Sequence, residues 1–346
     1  MHRRQAVSGL VAVVAMVSWP IALGGTPADA ATEAALPTAG PVLAAMARHQ
    51  PAPAARASIT ATANDVTGDG FDDVLTRDRA TGRLDVHAGR GALAGSATLA
   101  APVQVRATTP DRVWFGQGDL NGDGRNDLAG LDGAGVLYAA FNQGVVAGAP
   151  QFSADTGFLQ GLTPSMLPLL TDYVGSDPNN PLEPDGRADL VFRDSGSKSV
   201  YLYVNDGMVN GRPSYSNRGA LLNGADYVTD INLADLTGDY FKDIVITQTD
   251  GTMWALDIFA EVDSGGNPVA KWYKIIGSGM NSADFVLFPD FNADEYPDFA
   301  ARITASGEFR GVLHSRHWNA AQPETVFDAS TGQLVESGWS RYDWIF

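Results

Sequence analysis

The chain has 346 residues, 23 of them basic and 40 acidic, for a formal net charge of −17 at pH 7. So acidic a chain repels nucleic acid and anionic membranes, which argues against both as partners. It has no cysteine, so no disulfide can staple it and bound metal could take over that role.

Residues 1–30 read as an export signal peptide, and the expected location is therefore secreted. Met1-His2-Arg3-Arg4 is a positive start, Ala6 to Leu23 is mostly apolar, and Ala28-Asp29-Ala30 offers a small-x-small cleavage site. Pro20 and Gly24-Gly25 interrupt the apolar run, which argues against an uncleaved anchor. No second apolar run reaches a membrane-spanning length, so no insertion is expected after cleavage. Residues 31–56 are rich in Ala and Pro and read as a semi-extended linker, in which Pro41 to Arg48 could form a short helix.

From residue 57 an acidic turn recurs five times. The first two copies are Asp65-Val66-Thr67-Gly68-Asp69-Gly70-Phe71-Asp72-Asp73 and Asp119-Leu120-Asn121-Gly122-Asp123-Gly124-Arg125-Asn126-Asp127. A contracted third reads Glu183-Pro184-Asp185-Gly186-Arg187-Ala188-Asp189. The last two are Asp235-Leu236-Thr237-Gly238-Asp239-Tyr240-Phe241-Lys242-Asp243 and Asp290-Phe291-Asn292-Ala293-Asp294-Glu295-Tyr296-Pro297-Asp298. The middle aspartates Asp69, Asp123, Asp185, Asp239 and Asp294 recur at steps of 54, 62, 54 and 55 residues. A fixed period of this size predicts a repeat architecture.

The residue types point to calcium, which takes six to eight oxygens at about 2.3–2.6 Å. Positions one, three, five and nine carry Asp, Asn or Thr, and the backbone carbonyl at position seven (Phe71, Arg125, Arg187, Phe241, Tyr296) can complete the set. Position six must turn sharply, and Gly70 and Gly124 allow it. Loops four and five place Tyr240 and Glu295 there, which predicts strained, reshaped or weaker turns. An EF-hand is excluded because its twelfth position, a bidentate glutamate, is Thr76, Gly130 and Ala301 in loops one, two and five. Turns without metal are the alternative reading. In loop three Pro181 falls where the first aspartate belongs. Asp172, 53 residues after Asp119, is one candidate for that ligand with an insertion looped out behind it, and Asp177 is the other.

The residues after each ninth position read as a strand, as in Asp243-Ile244-Val245-Ile246-Thr247. Each period holds about four short strands between Gly, Asn and Asp turns, the pattern of radially repeated four-stranded blades. Phe115-Gly116 before loop two, Gly148-Ala149-Pro150 after it, Phe141-Asn142 and Val204-Asn205 make residues 57–346 resemble the FG-GAP/VCBS repeat family. The resemblance implies an all-β propeller with calcium in the hairpin between the first two strands of a blade. Five periods imply about five blades and up to five structural Ca2+ sites. The closing segment Trp339–Phe346 reads as a lone apolar strand, expected to close the ring beside a strand near Ser58–Ala63.

Catalytic arrangements are not evident. No Gly-x-Ser-x-Gly elbow occurs, and His314-Ser315-Arg316-His317 lacks the glutamate of a zinc helix. His87 reads as a surface or hydrogen-bonded residue, and Glu261, Glu308 and Glu324 are carboxylates outside the loops. Eleven residues past each ninth position stand Leu84, Tyr138, Val200, Trp254 and Phe309, which suit either inter-blade core or sugar-stacking platforms. The expectation is a monomeric binding or adhesion propeller for an extracellular glycan or protein. A polysaccharide-active lyase or hydrolase on the same scaffold is the alternative.

Overall fold

The computed structural model describes residues 35–46, 64–109, 112–163, 166–176, 184–262, 264 and 268–346. The predicted signal peptide and the strand expected near Ser58–Ala63 lie outside these residues.

Five antiparallel sheets of four or five strands form a five-bladed β-propeller. Blade two is the plainest, built from Arg112–Gly118, Asp127–Asp132, Val136–Ala140 and Thr156–Gln160 from the axis outward. Blade three uses Leu167–Thr171, Asp189–Asp194, Ser199–Val209 and Arg212–Asn223, and blade four Val228–Ala234, Asp243–Gln248, Met253–Val262 and Pro268–Ile276. Blade five is Ala283–Leu287, Phe299–Ile303, Glu308–Val312 and Gln333–Glu336. The second strands are apolar without alternation because neighbouring blades cover both their faces. All six residues of Asp243–Gln248 are buried.

Five hydrophobic clusters correspond to the five blade interfaces. Blades one and two share Leu75, Leu84 and Phe115, blades two and three share Leu131, Leu190 and Phe192, and blades three and four share Val200, Ile244 and Trp254. Blades four and five share Val245, Phe299 and Val312, while Phe309, Trp339 and Tyr342 join blade five to blade one. A chain of blades would have one interface fewer. The ring is closed.

Closure is made by the chain's end. Tyr342–Ile345 lies beside Val74–Asp78, pairing Thr76 with Ile345 and Arg77 with Trp344, in a sheet completed by Leu84–His87 and Val103–Arg106. Its partner among the described residues is Val74–Asp78, and the stretch near Ser58–Ala63 lies outside them. In blade one the innermost described strand is therefore the chain's last.

Within the stretch read as a linker, residues 35–46 are docked on the propeller. Thr38–Ala39 adds a fifth strand to blade three, opposite Leu222 and Asn223. The helix Pro41–Met46 comes next, with Leu43 1% and Met46 5% exposed against the core between blades three and four. Trp272 Nε1 donates to the Pro37 carbonyl at 3.0 Å. Gly40 passes so close that a Cβ there would stand 2.2 Å from the Ala220 oxygen. Leu43→Ala should therefore cost about 3 kcal/mol, as is usual for a buried leucine, read as a lowered urea midpoint at unchanged m-value.

Candidate metal centres

All five turns share one hydrogen-bonded frame. The position-one carboxylate turns the loop around itself, accepting from the position-six N–H at 2.9 Å in loop one (Asp65, Gly70) and 2.7 Å in loop two (Asp119, Gly124). Asp235 does the same to Tyr240 and Asp290 to Glu295. The position-five carboxylates of Asp69, Asp123, Asp185, Asp239 and Asp294 accept from the N–H of position seven at 2.9–3.2 Å. Position nine ties the turn to its blade. One oxygen accepts from position two, and in loops one, three and four also from position three. The other accepts from a residue farther along the blade: Asp73 from Gly89, Asp127 from Asn142 and Asp298 from His314.

This frame resolves loop three. Asp172 accepts from Gly186 N–H at 2.8 Å, and Asp189 accepts from Tyr173 and Val174. Asp172 therefore holds position one, and the extra residues of this loop fall in sequence between Val174 and Asp185. Asp177 and Glu183 lie outside the described residues.

The ninth-position carboxylates are almost fully buried, and burial dominates their titration. Desolvation pushes Asp73, Asp127 and Asp298 up to about 7 and Asp189 to about 8, and it raises Asp243 well above the usual carboxylate range. Backbone N–H donors pull the other way in each case, and repulsion from the other loop aspartates adds to the rise. A divalent cation between these groups would remove that repulsion.

The donor atoms fit calcium unequally. In loop one, oxygens of Asp65, Asp69 and Asp73 all lie within 4.8 Å of one another, close enough for one ion to reach all three. In loops four and five the position-three oxygens, Thr237 Oγ1 and Asn292 Oδ1, are buried without a hydrogen-bond partner among the described residues. A buried orphan oxygen of this kind costs about 1–3 kcal/mol unless something fills the gap. Loop two satisfies its own position three, since Asn121 Oδ1 accepts from Asp123 N–H at 2.8 Å, and Thr67 Oγ1 donates to Asp65. Loop three fits worst. Val174 brings no side-chain oxygen, and the Arg187 guanidinium donates to Asp185 and Ser176.

Position six decides how much strain a turn carries. Gly70, Gly124 and Gly186 have φ of 90°, 81° and 81°; Tyr240 and Glu295 keep the same turn at 74° and 70°. The turn thus keeps its shape and is strained, since a side chain in this region costs of order 1 kcal/mol or more. Both side chains are exposed, so little packing is at stake. Glu295→Gly should raise stability by about 1 kcal/mol, seen as a higher melting temperature.

Three side chains beyond position nine bridge to the preceding blade. Asn142 Nδ2 donates to the Val66 carbonyl in loop one, and Asn205 Nδ2 to that of Leu120 in loop two. His314 Nε2 lies 3.1 Å from the Leu236 carbonyl in loop four. Position eight also links blades. Asp72 accepts from Asp290 N–H at 2.9 Å, and Lys242 donates to Thr171 and to the Asp172 carbonyl. In sequence these two charges look like solvated neighbours of the ligands, and only their repeat position hints at a bridging role.

Two of the carboxylates outside the loops are engaged in ion pairs. Glu308 accepts from Arg310 and Glu261 from Lys271. Of the two readings for His87 the hydrogen-bonded one holds: the ring is buried with Nε2 3.2 Å from Thr76 Oγ1, lies tilted against Trp339 at 5.1 Å, and is held neutral by burial with its pKa lowered to about 4. Leu84, Val200, Trp254 and Phe309 are buried in inter-blade core, while Tyr138 lies under the Arg112 guanidinium at 4.0 Å. They form no ring of exposed platforms.

Fold and loops together define a five-bladed propeller whose blades each carry an acidic, oxygen-rich turn. No model of a known protein family matches the chain, and no curated protein matches it. A solved structure from Agrocybe aegerita, described as the structural basis of specific recognition of non-reducing terminal N-acetylglucosamine by a lectin, is similar at 14% identity and a TM-score of 0.39. The match covers 80% of this chain and 65% of that one, so this chain spans less than two thirds of its neighbour's length. A likeness of that size carries no functional inference.

Proposed function

We propose that this chain is an exported binding propeller, clamped by calcium at its acidic turns, that recognises an extracellular glycan or protein. The observation that carries the metal reading is the repeated frame itself: five turns aim carboxylates inward, and two leave a buried oxygen with no partner among the described residues. Loops one, two, four and five would hold the ion through positions one, three, five and nine with the carbonyl of position seven. The ion would supply charge neutralisation and rigidity in a chain without cysteine. Export rests on the signal-like residues 1–30, and the resemblance to FG-GAP/VCBS repeats supports the calcium assignment.

Native mass spectrometry of the protein in millimolar calcium tests the metal. Four bound ions are expected for the wild type and three for Asp69→Ala. A wild-type spectrum showing only apo-protein would make the loops plain turns. A glycan array on the calcium-loaded protein tests the binding reading.

A further inference from the structure

The innermost strands of the five blades enclose an axial cavity of about 990 Å³, at the upper end of the range for small-molecule sites. Gln117 lines it near the loop end. Its side chain is 5% exposed, and neither Nε2 nor Oε1 has a partner among the described residues. The equivalent place, two residues before position one, holds Leu170, Leu233 and Phe288 in blades three to five. An apolar residue therefore suits the fold there, and a buried amide left unpaired is costly. A second such amide stands at the other end. Gln248, 1% exposed, has an Nε2 without a partner among the described residues, and the same is true of Thr247 Oγ1 beside it.

Gln248 lies opposite Val228, at the start of an inner strand, whereas Gln117 lies near the end of one. Five strand residues separate the two levels, roughly 16 Å along the axis. A ligand meeting both must be elongated. Two Nε2 donors need acceptors, Gln117 Oε1 needs a donor, and a hydroxyl serves as either. Asp72, Asp230 and Asp284 line the cavity with one lysine, Lys242, which already donates to Thr171 and Asp172; an anion is disfavoured. Trp114, Phe285 and Trp344 add apolar wall.

We infer that the axial cavity binds a short neutral oligosaccharide, with Gln117 and Gln248 holding its hydroxyls at the two ends. This deepens the binding-propeller reading and rests on it. The test is isothermal titration of the full calcium-loaded protein with neutral di-, tri- and tetrasaccharides of the chito-, cello-, manno- and xylo-series. Wild type is compared with Gln117→Leu and Gln248→Met. At least one series should bind, and each variant should lose affinity tenfold or more while melting at or above the wild-type temperature. Absence of binding across the panel overturns the inference. So does binding that ignores both substitutions, although a propeller with its ligand on the outer loops would then survive. Calcium stoichiometry is read separately and does not depend on either outcome.

Discussion

Removal of residues 338–346 is expected to abolish cooperative melting of this protein under conditions where the full chain folds. The deleted segment supplies one whole strand of blade one and three of the nine buried residues in the core between blades one and five. Trp339 is 1% exposed and stacks on Phe309 with ring centroids 4.1 Å apart; Tyr342 and Ile345 are 0% and 3% exposed. Burying three such side chains stabilises by roughly 4.5–9 kcal/mol, comparable with the about 5–15 kcal/mol that holds a typical protein folded. Deletion also strips partners from what remains. Arg302, 3% exposed, donates to the carbonyls of Trp339 and Tyr342, and Leu75 exchanges hydrogen bonds with Phe346. Differential scanning calorimetry should show no transition for the truncated chain, with Trp339→Ala intermediate at about 3–5 kcal/mol of lost stability. A truncated chain that melts within a few degrees of wild type would mean the ring does not depend on its closing strand.

The blade count is legible in the sequence because the acidic turn is both chemically specific and periodic, and Asp172 is legible by its 53-residue distance from Asp119. Residues that act only across blades are not. The pairing of Tyr342–Ile345 with Val74–Asp78 is a contact over most of the chain's length, and no local pattern encodes its partner. Leu43 and Met46 stand in an Ala-rich stretch with too short an apolar period to announce a docked helix. Their burial depends on a groove formed by blades three and four. His314 stands in the repeat where blades two and three use Asn142 and Asn205, a bridging role that its sequence neighbours do not announce. The shape of loops four and five is also ambiguous from sequence. The position-one carboxylate bonds the N–H of position six, which forces the turn upon Tyr240 and Glu295 despite their side chains.

Metal-free protein is expected to lose stability as pH rises from about 4 to 8, and calcium should reverse that trend. Burial sets the sign. Asp73, Asp127 and Asp298 titrate at about 7 and Asp189 at about 8 when folded, against 3.8 for the unperturbed group. The folded chain therefore holds these protons more tightly than the unfolded one. Their contribution is complete below the unfolded value and is lost as pH passes through the folded values, at up to about 1.4 kcal/mol per unit for each group. Calcium takes only the ionised carboxylates, so protons compete with it near pH 5 and scarcely at pH 8. At a hundredfold excess over its dissociation constant each ion adds about 2.7 kcal/mol, so four sites together reach roughly 11 kcal/mol. Melting curves of dialysed protein across this range, with and without millimolar calcium, should converge towards pH 5 and diverge by tens of degrees at pH 8. Asp123→Ala should narrow the divergence without closing it, because the other turns remain. Curves that superimpose at pH 8 would leave the buried aspartates without a counterion and the propeller without its proposed clamp.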